Sequence, residues 1–167
     1  MEETRQAWLG FFTGVAIRKL DYMLELRRSY HVYILSNTNP YVMSWACSPG
    51  FSSQGKPLTD YCDKLYLSYQ VGCTKPEPEI FNYMLKDSGM LPSETLFVDD
   101  GASNIHIGKE FGLYTYQPEN GMDWRKELSQ LLAGESYFAC MQSTPWLYVR
   151  RAYPACRQYI YSVYRFC

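Results

Sequence analysis

The chain has 167 residues, a formal net charge of −1, 47% hydrophobic residues and 20% charged residues. That length suits one ordinary domain with a real core, and the balance excludes a disordered chain, a polyanion-binding surface or an acidic activation tail. The acidic start MEETRQAWLGFF lacks the cationic opening of a signal peptide. No apolar run approaches the roughly 18 to 20 residues that would span a bilayer, so a cytoplasmic protein with no membrane or nucleic-acid partner is expected.

Residues 3 to 29 read as helical, because Ile17, Leu20, Leu24 and Leu26 recur near a 3.6-residue period among charged neighbours, with a break near Gly10 to Gly14. HVYILSN (31 to 37) is a short apolar, β-branched run that ends in an Asn/Pro turn, the pattern of a buried strand feeding a loop. Ser48 to Pro57 is loop-like, and LYLSYQV (65 to 71) reads as a second strand. EPEIFNYMLKDSG carries prolines at its start and Gly89 at its end, which predicts a helix with Ile80, Phe81, Met84 and Leu85 inward. TLFVDD (95 to 100) predicts a third strand, then a helix from Ala102 to Phe111 stopped by Gly112, then a fourth strand at LYTYQP (113 to 118). Strands alternating with helices specify a parallel α/β sheet, whose ligands sit beyond the C-terminal ends of the strands. Ser36 and Asp99-Asp100 both fall there.

Two adjacent carboxylates after a buried strand are costly unless a cation neutralises them, and such oxygen ligands suit magnesium. The plainer alternative makes one of them a helix cap and leaves the other to solvent. Lys75, in GCTKPEPEIF just before a proline-started helix, could share one phosphate with the helix N–H groups. A lone lysine is ordinarily a solvated surface charge. Ser36 in ILSNTNP adds a hydroxyl and loop N–H groups, although serine in such a turn is commonly just a turn former. Three separate strand ends, each offering a group for a phosphate, make the site reading stronger than any one residue does.

In order and spacing, ILSNTNP, GCTKPEPEIFNYMLKDSG and ETLFVDDGASNI resemble the second, third and fourth motifs of the haloacid dehalogenase superfamily: Ser/Thr, Lys and DDxxxN. The likeness runs over about residues 15 to 130. It implies a Rossmann-like parallel sheet with flanking helices, and a site in which Ser36, the Asn37 amide and Lys75 bind phosphoryl oxygens. It further implies that Lys75 acts in catalysis, that Asp100 ligates Mg²⁺ with Asp99 as ligand or supporting neighbour, and that Asn104 orients the metal waters or Lys75. The implied activity is a magnesium-dependent phosphatase of small phosphorylated metabolites working through an aspartyl-phosphate. Dehalogenation, the in-family competitor, needs no metal and so fits the carboxylate pair less well. A chemically silent remnant or binding protein of the same fold is the alternative.

One part of the pattern is absent. The family's first motif, DxDx(T/V), carries the nucleophile and ends a first strand that lies between the strands bearing the second and fourth motifs. None of the seven aspartates, Asp21, Asp60, Asp63, Asp87, Asp99, Asp100 and Asp123, stands in a DxD. The expectation is therefore a chain that begins downstream of its first motif, is inactive in isolation, and has a sheet missing its central strand, leaving two half-sheets with unpaired edges. Residues 1–29 would be the remnant of a helical cap with its linker helix, and 30–133 the α/β core.

Residues 134–167 differ in character. From Tyr137 onward there are four arginines, no acid, six of the 16 tyrosines and three of the six cysteines. A non-native extension accounts for that composition, while QYIYSVYRF could instead cover an exposed sheet edge, or the arginines and aromatics could touch membrane or nucleic acid. The cysteines (Cys47, Cys62, Cys73, Cys140, Cys156 and Cys167) form no CxxC pair and have no histidine at metal spacing, which predicts reduced thiols rather than a zinc site.

Overall fold

The computed structural model describes residues 17–133 and the backbone of 158–161. The elements are α1 (Ile17–Leu26), β1 (His31–Ser36), α2 (Pro40–Ala46), β2 (Lys64–Leu67), α3 (Ser68–Val71), α4 (Pro78–Ser88), β3 (Thr95–Val98), α5 (Ala102–Glu110), β4 (Tyr114–Tyr116), α6 (Arg125–Ala133) and β5 (Gln158–Tyr161). The strands form one five-stranded sheet in the order β2-β1-β5-β3-β4, every pair parallel.

Alternation along the strands sorts the core into two layers, because successive side chains leave opposite faces of a sheet. Val32 and Ile34 of β1 and Leu96 and Val98 of β3 face a layer built with Leu20, Met23 and Leu26 of α1, Met43 and Ala46 of α2, and Leu128 of α6. Leu35 and Phe97 face the other layer, where Ile80, Phe81 and Met84 of α4 and Ile105 of α5 close the sheet. Both faces are thus covered, as a parallel sheet requires.

Most local expectations hold at the level of the residues that specify them. Asn39 caps α2, its side-chain oxygen accepting from the N–H groups of Tyr41 and Val42 at 3.0 and 3.1 Å, and Pro40 occupies the first turn. α4 ends where Gly89 takes φ 68°. Of the residues assigned inward on α4, Ile80, Phe81 and Met84 are buried, and Leu85 packs at the margin of the same layer. The first helix is described only from Ile17, so the break expected near Gly10 to Gly14 lies outside the described residues.

Two expectations need correction. LYLSYQV is not one strand: β2 stops at Leu67 and the chain coils into α3, ended by Gly72 at φ 85°. The Ser68 hydroxyl causes the turn, accepting from the Thr38 N–H at 3.0 Å and donating to the Thr38 carbonyl at 3.1 Å, which ties the chain to the loop after β1 instead of extending the sheet. The second correction concerns the centre of the sheet, expected to be vacant. β5 fills it, with His31, Val32, Tyr33 and Ile34 of β1 on one side and Thr95, Leu96, Phe97 and Val98 of β3 on the other. Gln158–Tyr161 thus acts as a β segment that covers an exposed sheet edge, pairing with the edges of both β1 and β3 at the centre of the sheet; the rest of the tail lies outside the described residues.

α5 lies close enough to the sheet that a Cβ at Gly108 would come within 2.9 Å of the Phe97 ring and 3.3 Å of Thr115 Cγ2. Phe97 is fully buried and has little room to yield. Gly108→Val is expected to destabilise the fold by about 2 kcal/mol or more, read as a lowered urea midpoint at unchanged slope; an unchanged midpoint would contradict this packing.

Candidate functional site

Three loops meet beyond the C-terminal ends of β1, β2 and β3. Ser36 ends β1 and is buried; Asn37 follows it; Asp99 and Asp100 follow β3; and Lys75 lies on the connection from α3 to α4, preceding Pro76 through a cis peptide bond. The sequence separates Lys75 from Ser36 by 39 positions and from Asp99 by 24, and the fold brings the three segments together.

Lys75 is the hub. Its Nζ donates to Asp99 Oδ2 at 2.9 Å and to the Leu35 carbonyl at 2.8 Å, and both charged side chains are wholly buried. The ammonium also sits 5.9 Å from the centre of the Phe97 ring, on whose face of the sheet Asp99 also falls. Burial pushes this lysine down to about 8, while the Asp99 carboxylate beside it opposes the fall. A solvated surface lysine, the ordinary reading of an isolated Lys, is ruled out by this environment.

The lysine segment is itself clamped. Asn37 Oδ1 accepts from the Lys75 N–H and Asn37 Nδ2 donates to the Lys75 carbonyl, each at 2.8 Å, so one carboxamide satisfies both backbone groups of one residue. Sequence reasoning used only the Asn37 amide as a phosphate donor and missed the side chain's role. Asn in a strand-end loop was the available signal, but its partner 38 positions away was not readable.

Asp99 has little capacity left. Besides Lys75, its Oδ1 accepts from the Gly101 N–H at 2.7 Å and from Asn104 Nδ2 at 2.9 Å. Gly101 has to be small, because a Cβ there would lie 2.8 Å from Asn104 Nδ2 and 3.0 Å from Asp99 Oδ1. The other end of the Asn104 carboxamide, Oδ1, is buried without a hydrogen-bond partner among the described residues. Asp100 differs: it is half-buried, and among the described residues its carboxylate enters no hydrogen bond or ion pair, only its backbone carbonyl accepting from Gln117 at 3.1 Å. The helix-cap alternative for the pair fails, since the N-cap of α5 is Gly101 and receives no side-chain cap.

Of the other described aspartates, four have partnered carboxylates and Asp60 is exposed at the surface. Asp63 accepts from the Val32 N–H at 2.7 Å and from Arg27 at the opposite end of β1, Asp21 from Gln54, Asp87 from Lys64 and Tyr66, and Asp123 from Arg125. Among the described residues no group of three His, Cys, Asp or Glu side chains forms a metal cluster. The donors at hand therefore fit magnesium through one open carboxylate, Asp100. That ion commonly binds through one or two carboxylates, waters and substrate phosphate oxygens.

The sequence model of the haloacid dehalogenase-like hydrolase family matches residues 18–112. The chain belongs to that family of hydrolases. It is 76% identical over 132 residues to the D-ribitol-5-phosphate phosphatase of Bacteroides thetaiotaomicron, covering 79% of this chain and 64% of that protein. Among solved structures it superposes on a haloacid dehalogenase-like hydrolase from Porphyromonas gingivalis with a TM-score of 0.76 and 44% identity, covering 78% of this chain and 64% of that one. A family enzyme from B. thetaiotaomicron in a magnesium complex superposes with a TM-score of 0.71 and 40% identity, over 76% of this chain and 64% of that one. That enzyme has also been crystallised with magnesium and inorganic phosphate together. The chain thus spans a little under two thirds of the length of these relatives.

Two measurements check the hub. The Lys75 ammonium is expected to titrate near pH 8 by NMR, and lower still in Asp99→Asn, which removes the partner that favours the charged form. Since an unfolded lysine holds its proton to about 10.4, the folded chain sheds it first, and this group's contribution to stability grows as pH rises between those values. Lys75→Met, which leaves Asp99 buried without its cation, is expected to cost about 3 to 5 kcal/mol in urea unfolding.

Proposed function

We propose that this chain is the phosphate-holding part of a magnesium-dependent phosphatase that acts on a small phosphorylated metabolite. The single observation that carries the reading is the wholly buried Lys75–Asp99 pair at the strand ends, beside the open Asp100 carboxylate. Burying a lysine this way is costly, and a purely structural role would be served more cheaply by an apolar side chain. A fixed cation beside an open carboxylate suits a phosphate and its metal.

Each residue then has a part. Lys75 neutralises a phosphoryl oxygen, and Asn37, through its grip on the Lys75 backbone, sets where that charge lies. Ser36 and the Asn37 N–H donate to the remaining oxygens. Asp99 holds the ammonium, with Gly101 and Asn104 fixing the carboxylate in turn; of its two expected roles, ligand or supporting neighbour, its saturated oxygens support the second. Asp100 holds Mg²⁺, which when bound supplies charge neutralisation on the phosphate. A phosphorylated sugar alcohol of the ribitol 5-phosphate kind is the substrate class, supported by the 76% identity to a phosphatase of that compound. The three described cysteines, Cys47, Cys62 and Cys73, are free thiols, which supports a cytoplasmic setting, and no described helix is long and apolar enough to cross a membrane.

No described residue is placed to act as nucleophile, so the chain alone is read as binding without turnover. Calorimetry with inorganic phosphate is expected to show binding that strengthens with Mg²⁺. Asp100→Asn should lose that strengthening, about 10- to 100-fold in metal affinity, while Asp63→Asn retains it. p-Nitrophenyl phosphate should not be hydrolysed. Turnover by the unmodified chain that Asp100→Asn abolishes would overturn the absence of a nucleophile, and a magnesium effect untouched by Asp100→Asn would overturn the site.

A further inference from the structure

Just beyond β4 stands a polar side chain that neither the three motifs nor the phosphate-holding groups account for. β4 ends at Tyr116, whose carbonyl accepts from the Asp99 N–H at 3.2 Å, so the hydrogen bonding between β3 and β4 continues one residue past Val98 and the chain leaves the ladder at Gln117. From there Gln117 Nε2 donates to the Asp100 carbonyl at 3.1 Å. The glutamine is exposed, yet its backbone has little freedom: a buried proline, Pro118, follows it, and a residue before proline is confined to extended conformations.

What this bond holds is a single rigid plane. A peptide unit is planar, and the one between Asp100 and Gly101 is gripped at both ends, its C=O by Gln117 and its N–H by Asp99 Oδ1 at 2.7 Å. Two bonds to one plane fix its tilt and, through the Asp100 Cα, the direction in which that residue carries its side chain. Space restricts the same unit, since a Cβ at Gly101 would lie 2.8 Å from Asn104 Nδ2 and 3.0 Å from Asp99 Oδ1. The Asp100 carboxylate enters no hydrogen bond or ion pair among the described residues, so its direction is set through its backbone. A surface glutamine is ordinarily just solvated. This one instead takes the carbonyl of the open carboxylate residue beside the Lys75–Asp99 pair.

We propose that Gln117 is a positioning residue for Asp100: by holding the outer end of the Asp100–Gly101 peptide it fixes where the open carboxylate presents its oxygens to Mg²⁺. The inference rests on the phosphatase reading, in which Asp100 holds the ion. Gln117 needs to touch neither metal nor phosphate, because it acts through the backbone of the ligand residue, as hydrogen-bonded supports of metal ligands do. Magnesium demands near-ideal octahedral geometry, so a carboxylate free to swing holds it less well.

The test compares the parent chain with Gln117→Met, which keeps the length of the side chain and removes the donor, each with and without Asp100→Asn. Calorimetry with inorganic phosphate is expected to show the strengthening by Mg²⁺ reduced about 3- to 10-fold in Gln117→Met, the worth of one neutral hydrogen bond. Phosphate binding without the metal should stay at the parent level. In the Asp100→Asn background Gln117→Met should change the magnesium effect no further, because the residue through which it acts is gone. Hydrogen exchange of the Gly101 amide, read by NMR without metal, should speed up in Gln117→Met while the urea midpoint stays unchanged. A magnesium effect at the parent level in Gln117→Met, or one lowered equally in both backgrounds, overturns the positioning role, as does Gly101 exchange at the parent rate. Loss of metal-free phosphate binding overturns it too, since Gln117 would then be a general support of the loops. If Asp100→Asn alone leaves the magnesium effect intact, the metal reading of Asp100 falls and this inference falls with it, whereas failure in Gln117→Met alone leaves that reading standing.

Discussion

The two halves of this sheet, β2-β1 and β3-β4, do not pair with each other; hydrogen bonds join them along β5 and just beyond its end, where the Lys75 ammonium bonds the Leu35 carbonyl on one side and the Asp99 carboxylate on the other. Neighbouring strands lie about 4.8 Å apart, so β1 and β3 cannot reach one another directly with a strand between them. The buried cation is thus both a structural tie and the centre of the candidate site. Its low dielectric surroundings strengthen its attraction for Asp99 and also make its charge expensive, which is why burial moves its proton equilibrium toward neutrality.

Around that ammonium the site is layered by hydrogen bonds of decreasing directness. Asp99 meets the lysine, Gly101 and Asn104 hold Asp99, and Asn37 holds the lysine's own backbone. Such a chain of supports leaves few orientations open, and the close approach at Gly101 shows how little slack there is. Asp100, one residue from the most constrained carboxylate, is the one left available. Adjacent carboxylates acquire different duties because the peptide geometry turns one toward the Phe97 face and the other away. Among the described residues no third His, Cys, Asp or Glu side chain gathers with this pair into a metal cluster.

Local order was largely readable before the fold was seen. Proline at the start and glycine at the end marked α4, alternating apolar runs marked β1 and β3, and the spacing of Ser36, Lys75 and Asp99-Asp100 marked the site. The errors came where a side chain reaches a distant backbone. Ser68 reads as part of a strand by propensity, yet its hydroxyl closes a pair with Thr38, 30 residues earlier. Asn37 reads as a turn former, yet it clamps Lys75. Neither partner is local, so no periodicity reports it.

By itself the sequence determined the alternation of strands and helices, the two-sided burial that apolar runs demand, and the residue types at the strand ends, because those depend on near neighbours and on the transfer of side chains from water. The tertiary structure decided that the tail's strand lies at the centre of the sheet, that Lys75 is buried against Asp99, and that the adjacent Asp100 stays open. Those outcomes depend on which backbone edges and which charges meet across dozens of residues, and it is the geometry of closure that settles them.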